Sequence, residues 1–154
     1  MADRMLGRLV RYLRMIGYDV AYPPTCPDSR LIAMARSQGR VLLTCDRGIT
    51  RRISALMGNP QVVEIKAANV AQQIAQLAAE KWIERVYHPR CASCNTPLRA
   101  ISPMEARHLL PPFTMATQIS YIFCPCCNMV FWRGSHWRHF MNTISLALSA
   151  SPER

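Results

Sequence analysis

Two cysteine pairs constrain this chain more than any other feature. Cys91 and Cys94 form one C-x-x-C turn, and Cys124 and Cys127 form another. A tight turn aims both thiols of a pair at one point, and two such turns complete a tetrahedral four-thiolate site for structural zinc. The small module between them has little core of its own. It therefore reads as a zinc ribbon, in which the metal supplies folding energy on the order of 10 kcal/mol. Asn95 and Asn128 each follow the second cysteine of a pair, where a residue tolerant of the left-handed region suits the turn. Cys126 lies between two ligands and either points away or substitutes for a neighbour. His136 and His139, three apart on an expected helix, share a face and leave mixed ligation open beside a surface or RNA-facing role. Cys26 and Cys45 have no partner spacing; Cys45 reads most simply as a small residue near a strand end.

Metal rather than disulfides is the expected use of these thiols. Nothing near the N-terminus reads as an export signal, and arginine or proline breaks every apolar run well before the ~18 residues of a membrane span. A reducing compartment, the cytoplasm, is expected, with no membrane partner. Oligomeric state is left open by the sequence.

Ahead of the ribbon the pattern changes, near residue 87. Leu6, Leu9, Val10, Leu13 and Ile16 recur at helical spacing in RMLGRLVRYLRMIG, and Gly17 stops the run. YDVAY reads as a short strand. Asp28 opens a second helix, SRLIAMARSQ, closed by Gly39. RVLLT is a strand without polar alternation, as expected when both faces are covered. A third helix is expected around Ile49 to Met57. QVVEI is a strand, and Asn69 caps a helix over VAQQIAQLAAEKWI. Strands separated by helices argue for an α/β fold, a parallel sheet with helical crossovers. The expected units are 1–86 for this sheet and 87–154 for a small β-rich ribbon. The ribbon unit carries a Pro-rich connection around SPMEARHLLPPF and a terminal helix over SHWRHFMNTISLALS.

Charge adds a partner. The 154 residues carry 19 Lys plus Arg against 9 Asp plus Glu, a formal net charge of +10. Only Lys66 and Lys81 are lysine. Arginine binds phosphate bidentately and stacks on bases, so the bias favours a nucleic-acid partner over an inert basic surface. Arg4, Arg8, Arg11 and Arg14 fall at helical spacing opposite the apolar stripe, as a ridge beginning beside Asp3. Arg47, Arg51 and Arg52 follow Asp46.

The four aspartates, Asp3, Asp19, Asp28 and Asp46, all precede the ribbon. Each has an ordinary reading: Asp3 and Asp28 as helix caps, Asp46 as a cap or Asx-turn. Taken together, Asp3, Asp28 and Asp46 fall at helix starts or strand ends on the rim where open α/β sheets bind ligands. Clustered carboxylates repel and call for a cation. Magnesium or manganese, with oxygen ligands and retained waters, suits such a set and can activate water for phosphodiester hydrolysis.

ADRMLGRLVRYLRMIGYDV, PDSRLIAMARSQGRVLLTCD, RCASCNTPL and CPCCNMVFWRGSHW, in that order, resemble the Mut-seven C-terminal RNase family. The resemblance covers Asp3 to about Phe140. It implies a PIN-like nuclease domain joined to a zinc ribbon, a divalent-metal site on Asp3, Asp28 and Asp46, and RNA as substrate, with Thr44 supporting the Asp46 turn. Asp19 also matches a recurrent position and is expected to be structural. Two departures stand out. The family motif reads Thr-Arg-Asp where this chain has Cys45 before Asp46, and the family places a strand before its first acid, whereas two residues precede Asp3 here.

The expected function is a metal-dependent ribonuclease leaving a 3′-hydroxyl and a 5′-phosphate. Arg4, Arg8, Arg11, Arg14 and Arg47 would hold the RNA, and Trp132, Arg133 and Trp137 would aid from the ribbon. Both tryptophans have an equal reading as packing for the small module. The alternatives are a non-catalytic RNA-binding or ribosome-associated adaptor on a degenerate nuclease fold and, further off, a zinc-ribbon protein-interaction module.

Overall fold

The computed structural model describes residues 1–149; residues 150–154 of the expected second unit lie outside the described residues. The chain is a mixed α/β protein with one small parallel sheet and one antiparallel sheet. The first sheet pairs β1 (Leu42–Thr44) with β2 (Val62–Glu64), in the register Leu42 with Val62 and Thr44 with Glu64. Side chains alternate across a strand, so neighbours on β1 and β2 serve opposite faces. Leu43 and Val63 enter one core with α1 (Gly7–Met15) and α4 (Val70–Ala79). Leu42 enters the other with α2 (Asp28–Ser37) and α3 (Arg47–Ala55). Burial on both faces is what the unbroken apolar run of RVLLT demands.

A strand ahead of Asp3 is represented in miniature. Ala2 bridges Leu43 in the parallel sense, the Leu43 amide donates to Met1 O at 2.8 Å, and the Asp3 amide donates to Leu43 O at 3.1 Å. Asp3 is thereby fixed against β1 by main-chain bonds. A short 3₁₀ turn, Arg4–Leu6, then leads into α1.

Several local expectations need correcting. YDVAY is not a strand; it runs without regular pairing, although Ala21 O accepts the Ala2 amide at 3.0 Å. Helix α3 begins at Arg47, earlier than the periodicity suggests, because Asp46 caps it. Helix α4 ends at Ala79, not Ile83, and Lys81 takes φ 61° just beyond. The Pro-rich connection contains two short helices, α5 (Pro103–Ala106) and α6 (Pro112–Thr117), each with proline at its start, where a missing N–H costs nothing.

The second sheet is antiparallel, in the order β3 (Arg99–Ile101), β4 (Tyr121–Cys124) and β5 (Met129–Trp132). The terminal helix α7 (Ser135–Ser149) leaves this sheet and packs against α1 and α4. Phe140, Ile144 and Ala147 share the core of α1 and α4, and the Phe140 ring lies 4.9 Å from that of Tyr12. The ribbon is thus bracketed by elements of one core. Gly17 makes the junction close: its φ is +97°, and a Cβ there would lie 2.5 Å from Tyr87 Cβ. No helix among the described residues is long and apolar enough to cross a membrane.

Candidate functional site

The four ribbon cysteines converge. Their Sγ atoms all lie within 4.8 Å of one another, with Cys91 to Cys127 at 3.9 Å and Cys94 to Cys124 at 3.4 Å. Tetrahedral zinc with Zn–S near ~2.3 Å needs sulfurs about 3.8 Å apart, so the set fits. Cys91 and Cys94 sit on a turn that ends at Asn95, φ 70°, and the second turn ends at Asn128, φ 54°. Both asparagines adopt the left-handed conformation their position suggests. Cys126 is exposed, and neither His136 nor His139 joins the cluster. The Thr96 hydroxyl, 3.2 Å from Cys94 Sγ, holds that thiol down to about 5, while burial pushes Cys124 up and the neighbouring sulfurs push Cys127 up. Thiols this close cannot all ionise unless a cation joins them.

The acidic rim is built on β1. Thr44, fully buried, ends the strand. Its hydroxyl donates to Asp3 Oδ2 and accepts the Asp46 amide at 2.9 Å. Asp3 is 4% exposed and also accepts the Cys45 amide at 3.1 Å and, through Oδ1, the Met5 amide at 2.8 Å. Asp46 is exposed; its Oδ1 caps α3 by accepting the Gly48 amide at 2.6 Å, and its Oδ2 has no protein partner among the described residues. One hydroxyl therefore joins the two acids from opposite ends of a local network. Burial and the Asp3 charge raise the Cys45 thiol.

Asp28 takes no part in this hydrogen-bond network. It is the first residue of α2, whose cap is Pro27, so it lends charge to the helix start without capping it. Its Oδ2 lies 3.4 Å from Arg52 Nη1 on α3. Among the described residues, the four cysteines are the one group of three or more His, Cys, Asp or Glu side chains with ligand atoms mutually within 4.8 Å. Asp3, Asp28 and Asp46 do not reach that closeness. Glu64, which sequence reasoning did not single out, ends β2 in register with Thr44, and its Oε1 lies 3.7 Å from Arg47 Nε. Its only sequence signal is an acid closing the QVVE run, which has meaning once β2 is known to lie beside β1.

The arginine ridge is shorter than its spacing suggests. Arg4, Arg8 and Arg11 are exposed along one face. Arg14 is not: it is 6% exposed. Its Nε and Nη2 donate to Val20 O, and its Nη1 donates to Ala92 O at 3.0 Å and Ser93 O at 2.8 Å, both inside the Cys91–Cys94 turn. A buried guanidinium must satisfy its donors, and these carbonyls do so. Asp19 completes the junction by accepting from Arg40 at 2.9 Å and from Asn95 Nδ2 at 2.6 Å. The Arg40 bond holds its carboxyl below the usual range. Arg47, next to Asp46 in the chain, is exposed.

Of the two ribbon tryptophans, Trp137 packs against Phe140 with ring centroids 5.5 Å apart, whereas Trp132 is 37% exposed. No curated protein and no solved structure matches the chain at a significant level. A family model described as "Mut7-C RNAse domain" matches residues 1–144. The chain therefore belongs to the Mut7-C RNAse domain family.

Proposed function

We propose that this chain is a divalent-metal-dependent ribonuclease. In this reading residues 1–86 carry the chemistry and 87–154 form a zinc ribbon with a terminal helix that aids RNA binding. The observation that carries it is the Thr44 bridge between Asp3 and Asp46 at the carboxyl end of β1, in a member of an RNase-domain family. That edge is where open α/β sheets place ligands.

Asp46 Oδ2 and the Asp3 carboxylate are hard oxygen donors suited to magnesium or manganese. Asp28, were it released from Arg52, would join them in holding the cation, and Glu64 on β2 would be a fourth acid. A bound divalent ion supplies Lewis-acid polarisation of the phosphodiester and water activation. Thr44 keeps Asp3 and the Asp46 turn in register. Arg4, Arg8, Arg11 and Arg47 bind the RNA backbone, and the buried Arg14 holds the ribbon in place. Free thiols suit a reducing compartment such as the cytoplasm.

One observation favours a second reading, a non-catalytic RNA-binding adaptor: both Asp3 oxygens already accept protein hydrogen bonds, and Asp28 is paired with Arg52. Cleavage of labelled RNA by the zinc-loaded chain in magnesium or manganese separates the two. The ribonuclease reading expects cleavage that Asp46→Asn lowers about 100-fold or more while RNA binding persists. Retained RNA binding without wild-type cleavage in either metal establishes the adaptor.

A further inference from the structure

Between β5 and the first turn of α7 lies a cleft of about 460 Å³. Its walls include Met15, Ile122, Phe131, Trp132 and Trp137, with Arg90 and His136 also lining it. The volume falls within the ~300–1,000 Å³ of small-ligand sites, and a mainly apolar, aromatic lining suits a flat heterocycle. The Trp132 indole is held from one side: a Cβ on Gly134 would lie 3.0 Å from its Nε1.

The surroundings select the heterocycle's attachment. From Tyr87 to Ser149 the chain has five arginines, Arg90, Arg99, Arg107, Arg133 and Arg138, and one acid, Glu105. That acid is already paired with Arg99 at 3.2 Å. Arginines therefore outnumber carboxylates five to one along this stretch, which favours a polyanion.

Helix α1 connects this cleft to the acidic rim. Arg4, Arg8 and Arg11 are exposed, and Met15 continues the same spacing of four, three and four residues. Residues so spaced form one face of a helix. The face starts beside Asp3 and ends at a wall of the cleft, roughly 15–20 Å away by helical rise.

We propose that the cleft takes an unpaired nucleobase of the RNA whose backbone follows Arg4, Arg8 and Arg11, so that single-stranded RNA is the substrate class. This rests on the ribonuclease reading above and adds a site to it. Single strands present free base faces for aromatic stacking, and a base locked in a duplex cannot enter.

The test uses the zinc-loaded full chain without added magnesium or manganese, so that binding is read apart from cleavage. The probes are a short single-stranded RNA carrying one 5-iodouridine and a duplex of the same sequence. Photocrosslinking to residues between Met129 and Trp137 is expected. Trp132→Ala is expected to weaken single-strand binding about tenfold, with duplex binding unchanged. Gly134→Ala, which displaces the indole without removing it, is expected to weaken it in the same direction. Wild-type affinity in both variants, or crosslinks confined to α1 and α3, overturns the proposal while the cleavage reading stands. A dimer that Trp132→Ala disperses overturns it too, since a second copy then fills the cleft. A wild-type chain that binds neither RNA overturns both readings.

Discussion

The hydroxyl of Thr44 donates to the buried carboxylate of Asp3, and the same oxygen accepts the Asp46 amide. One side chain thus sets the relation between two acids that stand far apart in the chain. Thr44→Val keeps the shape and removes the hydroxyl. It leaves the Asp46 amide without that partner and Asp3 Oδ2 with the Cys45 amide alone. Loss of a buried partner costs about 1–3 kcal/mol. Urea unfolding should show a destabilisation in that range, with RNA cleavage falling as well, while Thr44→Ser recovers most of both.

Arg14 and its neighbours on α1 should respond differently to substitution. Arg8→Ala and Arg11→Ala remove exposed charges. For each phosphate thereby left without its arginine, the slope of log affinity against log salt should flatten by about 0.7 on single strands. Arg14→Met should leave that slope unchanged. It should instead cost about 2 kcal/mol or more, because the Val20, Ala92 and Ser93 carbonyls lose a charged donor. Salt titrations of RNA binding, set beside denaturation curves, check both halves.

Asp19 gives a pH dependence. The Arg40 hydrogen bond, with a further one from Asn95, depresses its folded-state pKa. A group depressed on folding contributes stability above its unfolded value, about 3.9, and loses it as pH falls through the folded value. Asp19→Asn should therefore be less stable than wild type near neutrality. The gap should narrow steadily below about pH 4, as thermal unfolding across pH can show.

Zinc removal should reach beyond the ribbon. Chelation, or Cys94→Ser, would take away a metal held by the four thiols beside β3 to β5, worth on the order of 10 kcal/mol to such a module. The Cys91–Asn95 turn holds Arg14, Val20 and Asp19, and α7 lies on α1 and α4 beyond it. Hydrogen exchange should quicken first in β4 and β5 and then at the Arg14–Val20 junction.

Much of this architecture is legible from residue types. The paired cysteines with their following asparagines announce a four-thiolate cluster, and the alternation of helix and strand announces a parallel sheet. Asn69 and Asp46 announce their caps. What stays hidden depends on tertiary neighbours. Arg14 obeys the same spacing as Arg4, Arg8 and Arg11, yet the ribbon turn folds over it and takes its donors. Glu64 acquires a candidate role only because β2 pairs in register with Thr44. YDVAY has strand composition, but the Asp19 carbonyl accepts from Arg40 and the Val20 amide donates to Asn95 rather than to a ladder. Two residues ahead of Asp3 look too few for a strand, yet Met1 O and the Asp3 amide, on either side of Ala2, supply its hydrogen bonds to Leu43 of β1.

The most direct test of the central claim is diffraction from a manganese-soaked crystal, recorded at a wavelength where manganese scatters anomalously. The account predicts a peak about 2.0–2.2 Å from Asp46 Oδ2, shared with Asp3, with Asp28 turned from Arg52 toward the ion. Density showing no manganese at this rim, with Asp28 still on Arg52 and Asp3 still spent on Thr44, Cys45 and Met5, would contradict it.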